Sequence, residues 1–393
     1  MLNALLGGNK ESLDINSSSS VWAIIWISFI ATHVFIVQPG FVQGLIEYVG
    51  FTEEFAGLLA TWEMWGIAAG TVLVISIASK VSWRLLTLVF IIMCVVGNAL
   101  SIGQASYDTL RFLRFLTGVG AGGMIAITFI MAGLTARADR NFALIIVLVL
   151  SYGTIVMWGM PRAYQSIGMN GMLIFFCLFC LTGLYFLRNL PDAGEAHADL
   201  EGDYNYASWL RFLTLAGILV FNVGIGIVWV FLFPVGLETG MTEQGVANVI
   251  MISQLFGIAG ALFVVFNEVR FGRLVPLMFG MVAIAFSIFL LLGDTPQRNF
   301  WFAVCGFNLL WNIIMPYTLS TAGDFDARGK TVGYAISLQM IGLAIGPYIA
   351  TRLLSTGGFD AGSQAAIVAF LAAAVLMLPG VLAQRGRLAN AAA

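Results

Sequence analysis

Long, uninterrupted apolar runs constrain this chain more than any other feature. A helix needs about 20 mostly apolar residues to cross the hydrocarbon core of a bilayer. Such runs occur near 21–46, 54–79, 84–104, 108–135, 142–164 and 169–187, and again near 209–236, 243–267, 274–292, 299–321, 331–353 and 364–383. The connections between them are short. The runs are continuous and do not alternate with period two, which argues against a transmembrane barrel. Of 393 residues, 60% are apolar and 10% charged, where an average soluble domain has about 45–50% and about 25%. So few charges cannot cover a water-soluble surface, and so apolar a chain cannot stay disordered. The expected fold is an all-α integral membrane protein of twelve transmembrane helices, without a sizeable soluble domain. The net charge of −2 offers no basic excess, so nucleic acid is not an expected partner.

Basic residues set the orientation, because Lys and Arg concentrate in cytoplasmic loops. With the N-terminus inside, Lys10, Lys80, Arg84, Arg137, Arg140, Arg188, Arg211, Arg270, Arg273, Arg328, Lys330, Arg385 and Arg387 all fall on the cytoplasmic side. Arg298 alone sits in an outer loop, and Arg111, Arg114, Arg162 and Arg352 fall within spans. Both termini are thus expected in the cytoplasm, in a plasma (inner) membrane. Residues 1–20 have no basic region feeding a short apolar core, so no cleavable signal is expected, and the first span would serve as an uncleaved anchor. Cys94, Cys177, Cys180 and Cys305 all lie in apolar runs and read as small core residues. No spacing suggests a metal site.

The longest polar stretch inside the chain, 188–208, reads as a cytoplasmic linker between six-helix halves at 1–187 and 209–393. The loop Ser79–Leu85 aligns with Asn267–Leu274, with one gap, about 188 residues apart, and the same offset sets Gly118 on Gly306. Parallel halves of this kind are one transporter architecture.

On these residues the chain resembles the major facilitator superfamily along essentially its whole length. Leu110–Gly123, with Arg114 followed by Gly118-Val119-Gly120-Ala121, is similar to the family's fourth-helix motif. Arg270-Phe271-Gly272-Arg273 resembles the core of its loop 2–3 motif in the second-half copy. Lys80 and Arg84 look like a worn first-half copy that lacks the usual Gly and Asp. Gly342-Leu343-Ala344-Ile345-Gly346-Pro347 resembles the antiporter motif but lies in the eleventh span, whereas the family carries it in the fifth. Here the fifth span has Gly153, Gly159 and Pro161 at other spacings. The resemblance implies two pseudo-symmetric six-helix bundles working by alternating access, with the fourth-helix arginine linked to proton coupling.

Charged side chains are expensive inside a bilayer, by roughly 2.5–3.5 kcal/mol at a helix centre, so the few present read as functional or paired. Glu63 is the one carboxylate placed well inside the hydrocarbon. It starts from the same face as Arg114 and lies at similar depth, so the two are expected either to handle a proton or to lock their spans together. Arg111 lies one turn from Arg114 and would form a paired guanidinium site for an anion, or else snorkel to the interface. Arg162 and Arg352 occupy equivalent outer span ends and could line an outer gate or snorkel. His33 is near the midplane and is a candidate in proton coupling; Gln38, Pro39, Gly40 and Gln43 follow it, breaking helix regularity and adding polar groups, with Gln38 and Gln43 as candidate substrate contacts. Other candidates in the second half are neutral, namely Asn222, Gln254, Asn308, Trp311, Asn312 and Gln339. These read as substrate contacts or as amides that tie helices together. Trp62, Trp65 and Trp158 are candidate cavity walls.

The function expected is a secondary active transporter of a small organic solute, anionic or amphipathic, driven by protons, with sodium as the other candidate ion. One alternative is an exporter of drugs or lipid-like amphiphiles. Another is a membrane receptor or sensor that no longer transports. An enzyme is disfavoured by the absence of a Ser/His/Asp or Cys/His set at matching depth. No nucleotide motif is present, no cofactor is expected, the other partner is the lipid bilayer, and a monomer is expected.

Overall fold

The computed structural model describes residues 13–77, 81–133, 135, 138–190, 206–267, 272–325 and 330–392. Lys10, Lys80, Arg137, Arg270, Arg328 and most of the linker, with His197, lie outside them, as do the side chains of Arg140, Lys330 and Arg387. Among the described residues the chain is helical, with no strand. It divides into two compact units, Met1–Ala196 and His197–Ala393.

The first unit begins with α1 (Ser18–Ala31), capped by Ser17, whose hydroxyl accepts the Ser20 amide N–H at 3.2 Å. The helix stops well before Pro39, passes through a 3-10 turn at Phe35–Val37 and restarts as α2 (Gln38–Gly44), bent by 43°. The reason is local: Pro39 has no N–H to give the Phe35 carbonyl, and its ring crowds that group. Then follow α3 (Glu53–Ile77), α4 (Trp83–Ser101), α5 (Tyr107–Gly133) and α6 (Ala138–Leu187). A straight helix of α6's 50 residues would be about 75 Å long, twice what a bilayer needs. It is broken at Gly168, whose φ of 62° and ψ of −173° belong to a region that essentially only glycine enters.

The second unit holds α7 (Ser208–Glu238), α8 (Glu243–Asn267), α9 (Leu274–Phe289), α10 (Gln297–Gly323) and α11 (Lys330–Ala392), the last broken at Gly357 and Gly358. Among the described residues, eight helices are long and apolar enough to cross a membrane, nine with the bent pair that includes α1 and α2. Twelve is reached by taking each piece of α6 and α11 as a span and adding the 16-residue α9. Phe112, Phe212, Phe279 and Val375 are each more than 60% exposed, as side chains facing lipid would be.

The two units repeat one pattern, and its register corrects the sequence alignment. Both α3 and α8 have 25 residues and start 190 apart, while α5 and α10 have 27 and start 190 apart. The left-handed glycines pair at the same offset: Gly50 with Gly240, Gly103 with Gly293, Gly168 with Gly358. Gly118 therefore corresponds to Asn308, not Gly306. Likeness of side chains in a gapped loop can slide by a residue or two; helix lengths and left-handed turns cannot.

Small residues bring helices together inside each unit. A methyl added at Gly66, Gly70, Gly118 or Gly122 would run into backbone atoms across the α3–α5 contact. One added at Gly342 or Gly346 would strike the Leu219 or Val223 carbonyl of α7. At the place equivalent to Gly342 and Leu219, the first unit has Tyr152 and Phe29, whose rings meet edge-on at 5.6 Å. The glycine motif of the eleventh span thus makes a close backbone contact where the other half packs aromatic rings.

Candidate functional site

Close packing of α3 on α5 puts Glu63 beside Arg114. Gly118, one turn beyond Arg114, lies directly against the Glu63 carbonyl, so no side chain separates the two helices there. Both charged groups are buried, with 1% of Arg114 and 2% of Glu63 exposed. Arg114 Nη1 lies 3.9 Å from Glu63 Oε1, a distance for charge attraction but not for a hydrogen bond.

Arg114 is anchored from another side. Its Nη2 reaches three acceptors at the end of α4: the Gly97 carbonyl at 3.2 Å, Asn98 Oδ1 at 3.1 Å and Ser101 Oγ at 2.8 Å. The Phe41 ring of α2 lies beneath the guanidinium, 5.4 Å away. Glu63 Oε2 and Arg114 Nε and Nη1 have no hydrogen-bond partner among the described residues. Leaving buried charged atoms unsatisfied is costly, so the pair is held incompletely satisfied by its surroundings.

His33 sits at the break that follows α1, 1% exposed. Its Nδ1 donates to the Ile30 carbonyl at 2.6 Å, and its Nε2 faces Cys180 Sγ at 3.5 Å. A carbonyl only accepts, so Nδ1 carries a proton; in the neutral ring Nε2 is then the acceptor. Cys94 lies within hydrogen-bonding reach of Cys180 and donates to the Thr117 carbonyl at 3.4 Å. Sequence reasoning placed these cysteines in the core correctly but did not foresee that Cys180 meets His33. Nor did it single out Gly97, Asn98 and Ser101, which hold Arg114. Ser101 and Asn98 sit at i and i+3 at the end of an apolar run, and that is the only signal the sequence offers for them.

Other candidates are placed differently from the expectation. Arg111 does not stack with Arg114: it is 48% exposed and pairs with Asp108 at 3.1 Å. Three residues are less than a full helical turn, and the long side chain turns outward to a local partner. Arg162 is exposed, its guanidinium 5.1 Å from the Trp158 ring; Arg352 repeats this over Tyr348 at 5.3 Å, in the same 190-residue register. Trp62 and Trp65 are 38% and 39% exposed, with Trp62 edge-on to Phe115. Gln38 and Gln43 are buried on α2, and Gln38 Nε2 has no partner among the described residues.

In the second unit Asn308 donates to Ser253 Oγ at 2.9 Å, bridging α10 and α8. Asn222 and Asn312 donate to carbonyls one turn back on their own helices, Ile218 at 2.8 Å and Asn308 at 2.9 Å. Trp311 meets Trp229 edge-on at 5.7 Å. Gln339 Nε2 touches Met315 Sδ at 2.9 Å. Gln254 is fully buried, and neither amide atom has a partner among the described residues. Arg273 of the loop motif pairs with Asp324 at the end of α10 and donates to the Ser320 carbonyl. Arg84 is buried, its Nε donating to the Leu190 carbonyl at 2.6 Å.

The profile of the Major Facilitator Superfamily matches residues 21–347. The chain belongs to this superfamily. As a facilitator it is a multi-pass membrane protein of a transporter family, not of an enzyme family. A chloramphenicol resistance protein of Streptomyces lividans is 22% identical over 349 residues, covering 80% of this chain and 84% of that protein. The putative transporter AraJ of Escherichia coli (strain K12) is 22% identical over 363 residues, covering 87% and 90%. The fold of this facilitator superposes on a D-xylose–proton symporter with a TM-score of 0.75 at 14% identity, covering 91% of this chain and 96% of that one. It superposes on a variant of the nucleoside transporter NupG with a TM-score of 0.70 at 12% identity, covering 92% and 98%.

Proposed function

We propose that this superfamily member is a secondary active transporter of a small organic solute, anionic or amphipathic, coupled to protons through Glu63 and working by alternating access between its two units. N- and C-termini lie in the cytoplasm in this reading, and the working form is a monomer in the plasma membrane. The observation that carries it is the Glu63–Arg114 pair at 3.9 Å, with three of its polar atoms left unpartnered. A pair selected only to lock helices would close to about 2.7–2.9 Å. An open pair has no hydrogen bond between its partners to break when Glu63 takes a proton. Arg114 is held by three acceptors on α4, so the change on protonation falls on Glu63 and α3. His33 is a second proton group, tied to the same core through Cys180 and Cys94.

The test is transport in proteoliposomes. Glu63→Gln should abolish the dependence on a pH gradient while leaving the protein folded; full pH-dependent transport by that variant overturns the assignment, and a response to a sodium gradient in its place would name the other ion. A second reading, export of drug-like amphiphiles, is favoured by the chloramphenicol resistance relative. It predicts lower accumulation of such compounds in cells that make the protein; uptake predicts the opposite. The receptor reading predicts binding without flux.

A further inference from the structure

A guanidinium is a flat, rigid fork of N–H donors, so fixing one prong restricts the others. In Arg114 the fixed prong is Nη2. The Gly97 carbonyl at 3.2 Å, Asn98 Oδ1 at 3.1 Å and Ser101 Oγ at 2.8 Å converge on it from α4. Nη1 faces Glu63 Oε1 at 3.9 Å and has no hydrogen-bond partner among the described residues. Closing that gap to a charge-assisted hydrogen bond of about 2.8 Å would move Nη1 by about 1 Å and draw Nη2 away from α4. The α4 acceptors are themselves oriented. Ser101 Oγ donates to the Gly97 carbonyl at 2.6 Å while it accepts from Arg114. Asn98 turns its Oδ1 to the guanidinium, and its Nδ2 has no partner among the described residues.

The second unit shows the same helix contact without an arginine. In the register set by the matching helices, Val304 stands in the place of Arg114, Ile288 in that of Asn98 and Leu291 in that of Ser101, and all are buried. Packing of these helices therefore works with apolar side chains at those places. The two polar side chains occur in the copy that has an arginine for them to hold. Ser253, the counterpart of Glu63, is joined across its helix contact to Asn308 by a hydrogen bond of 2.9 Å. The neutral pair is closed, while the charged pair, with far more attraction between its members, stands at 3.9 Å. The contacts that oppose this attraction are the ones to α4.

We propose that Asn98 and Ser101 are positioning residues that hold Arg114 back from Glu63 and so set the pH at which Glu63 takes up its proton. The inference rests on Glu63 being the coupling acid. Without the two side chains, Nη1 is released to Glu63 Oε1, and the hydrogen bond formed there favours the carboxylate over the neutral acid. Proton uptake then needs a lower pH. The other titratable groups that act on this pair from the packed elements are His33 beyond α1, Cys94 of α4, and Cys177 and Cys180 of α6. They are the same in every variant compared below.

The experiment is infrared pH titration of the full-length protein in liposomes, with no substrate added, reading the carboxylic acid band that Glu63→Gln removes. Asn98→Leu and Ser101→Ala each delete one side-chain acceptor, and Ser101→Thr keeps the hydroxyl. The expected result is a midpoint lower by about one pH unit when both acceptors are deleted, a smaller shift in the same direction for each alone, and the wild-type midpoint in Ser101→Thr. In an Arg114→Gln background the deletions should leave the midpoint where that background sets it, because no guanidinium is there to be released. A merely structural role lowers thermal stability without moving the midpoint, or moves it equally with and without Arg114. Either result, or a shift to higher pH, would overturn the positioning role and leave the coupling role of Glu63 standing. Ser101→Ala alone decides between these outcomes should the double variant not fold. A wild-type protein with no Glu63 band at any pH would overturn the coupling role itself.

Discussion

Arg114 and Glu63 lie 3.9 Å apart in the interior of the first unit, yet the arginine makes its hydrogen bonds to a different helix, through Gly97, Asn98 and Ser101. One residue thus joins three helices: α5 carries it, α4 holds it, and α3 faces it with a charge of opposite sign.

Removing the arginine should be more damaging than neutralising the acid. Arg114→Ala leaves Glu63 buried and unpaired and strips the α4 acceptors of their donor, at about 3–5 kcal/mol. Glu63→Gln keeps the three Nη2 contacts and should lower stability less. Adding Glu63→Gln to Arg114→Ala should recover part of the loss. Thermal unfolding of the four proteins in detergent measures all three differences.

Glycines at the α3–α5 contact should not tolerate a methyl. Gly118→Ala and Gly122→Ala drive a Cβ into the carbonyls of Glu63 and Ile67 and should lower stability by about 1–3 kcal/mol each. Gly159→Ala meets nothing within 4 Å and should leave stability unchanged or raise it by up to about 1 kcal/mol. The same unfolding assay separates the two classes.

The helix breaks at Gly168 and Gly358, with φ of 62° and 61°, should respond alike. Alanine is strained in that conformation by about 1–3 kcal/mol. Equal losses in Gly168→Ala and Gly358→Ala would show that the two units use the break in the same way; a loss in one alone would show that the other can rebuild its turn.

Gln254 sets stability against function. It is fully buried, and neither amide atom has a partner among the described residues. Gln254→Leu, similar in volume and free of that penalty, should raise stability by about 1–3 kcal/mol. If Gln254 contacts substrate, the same variant raises the KM for transport; unchanged transport kinetics would remove it from the site.

Much of the architecture could be read locally. Hydropathy is a property of each segment by itself, and a bilayer leaves a lone apolar run little choice but helix. The spans, the all-α class and the interruption before Pro39 follow from that. Depth was legible too: counting from a shared face put Glu63 level with Arg114. Azimuth was not. The alignment at 188 residues differs from the structural register of 190 by two positions, and two residues turn a helix face by about 200°. That is why Gly118 was matched to Gly306 and not to Asn308.

The same limit explains Arg111, whose spacing allowed a shared face with Arg114 but whose exposure lets it pair with Asp108. It also explains Cys94, Cys180 and His33, which no spacing joins and which come together only after α1, α4 and α6 pack. The sequence by itself determined that this chain enters a membrane as helices, which charges it carries there and at what depth, because burial energy and helix rise are counted along the chain. Only the tertiary structure decided which of those groups touch and which atoms stay unpartnered, because those depend on the rotation and close approach of helices far apart in sequence.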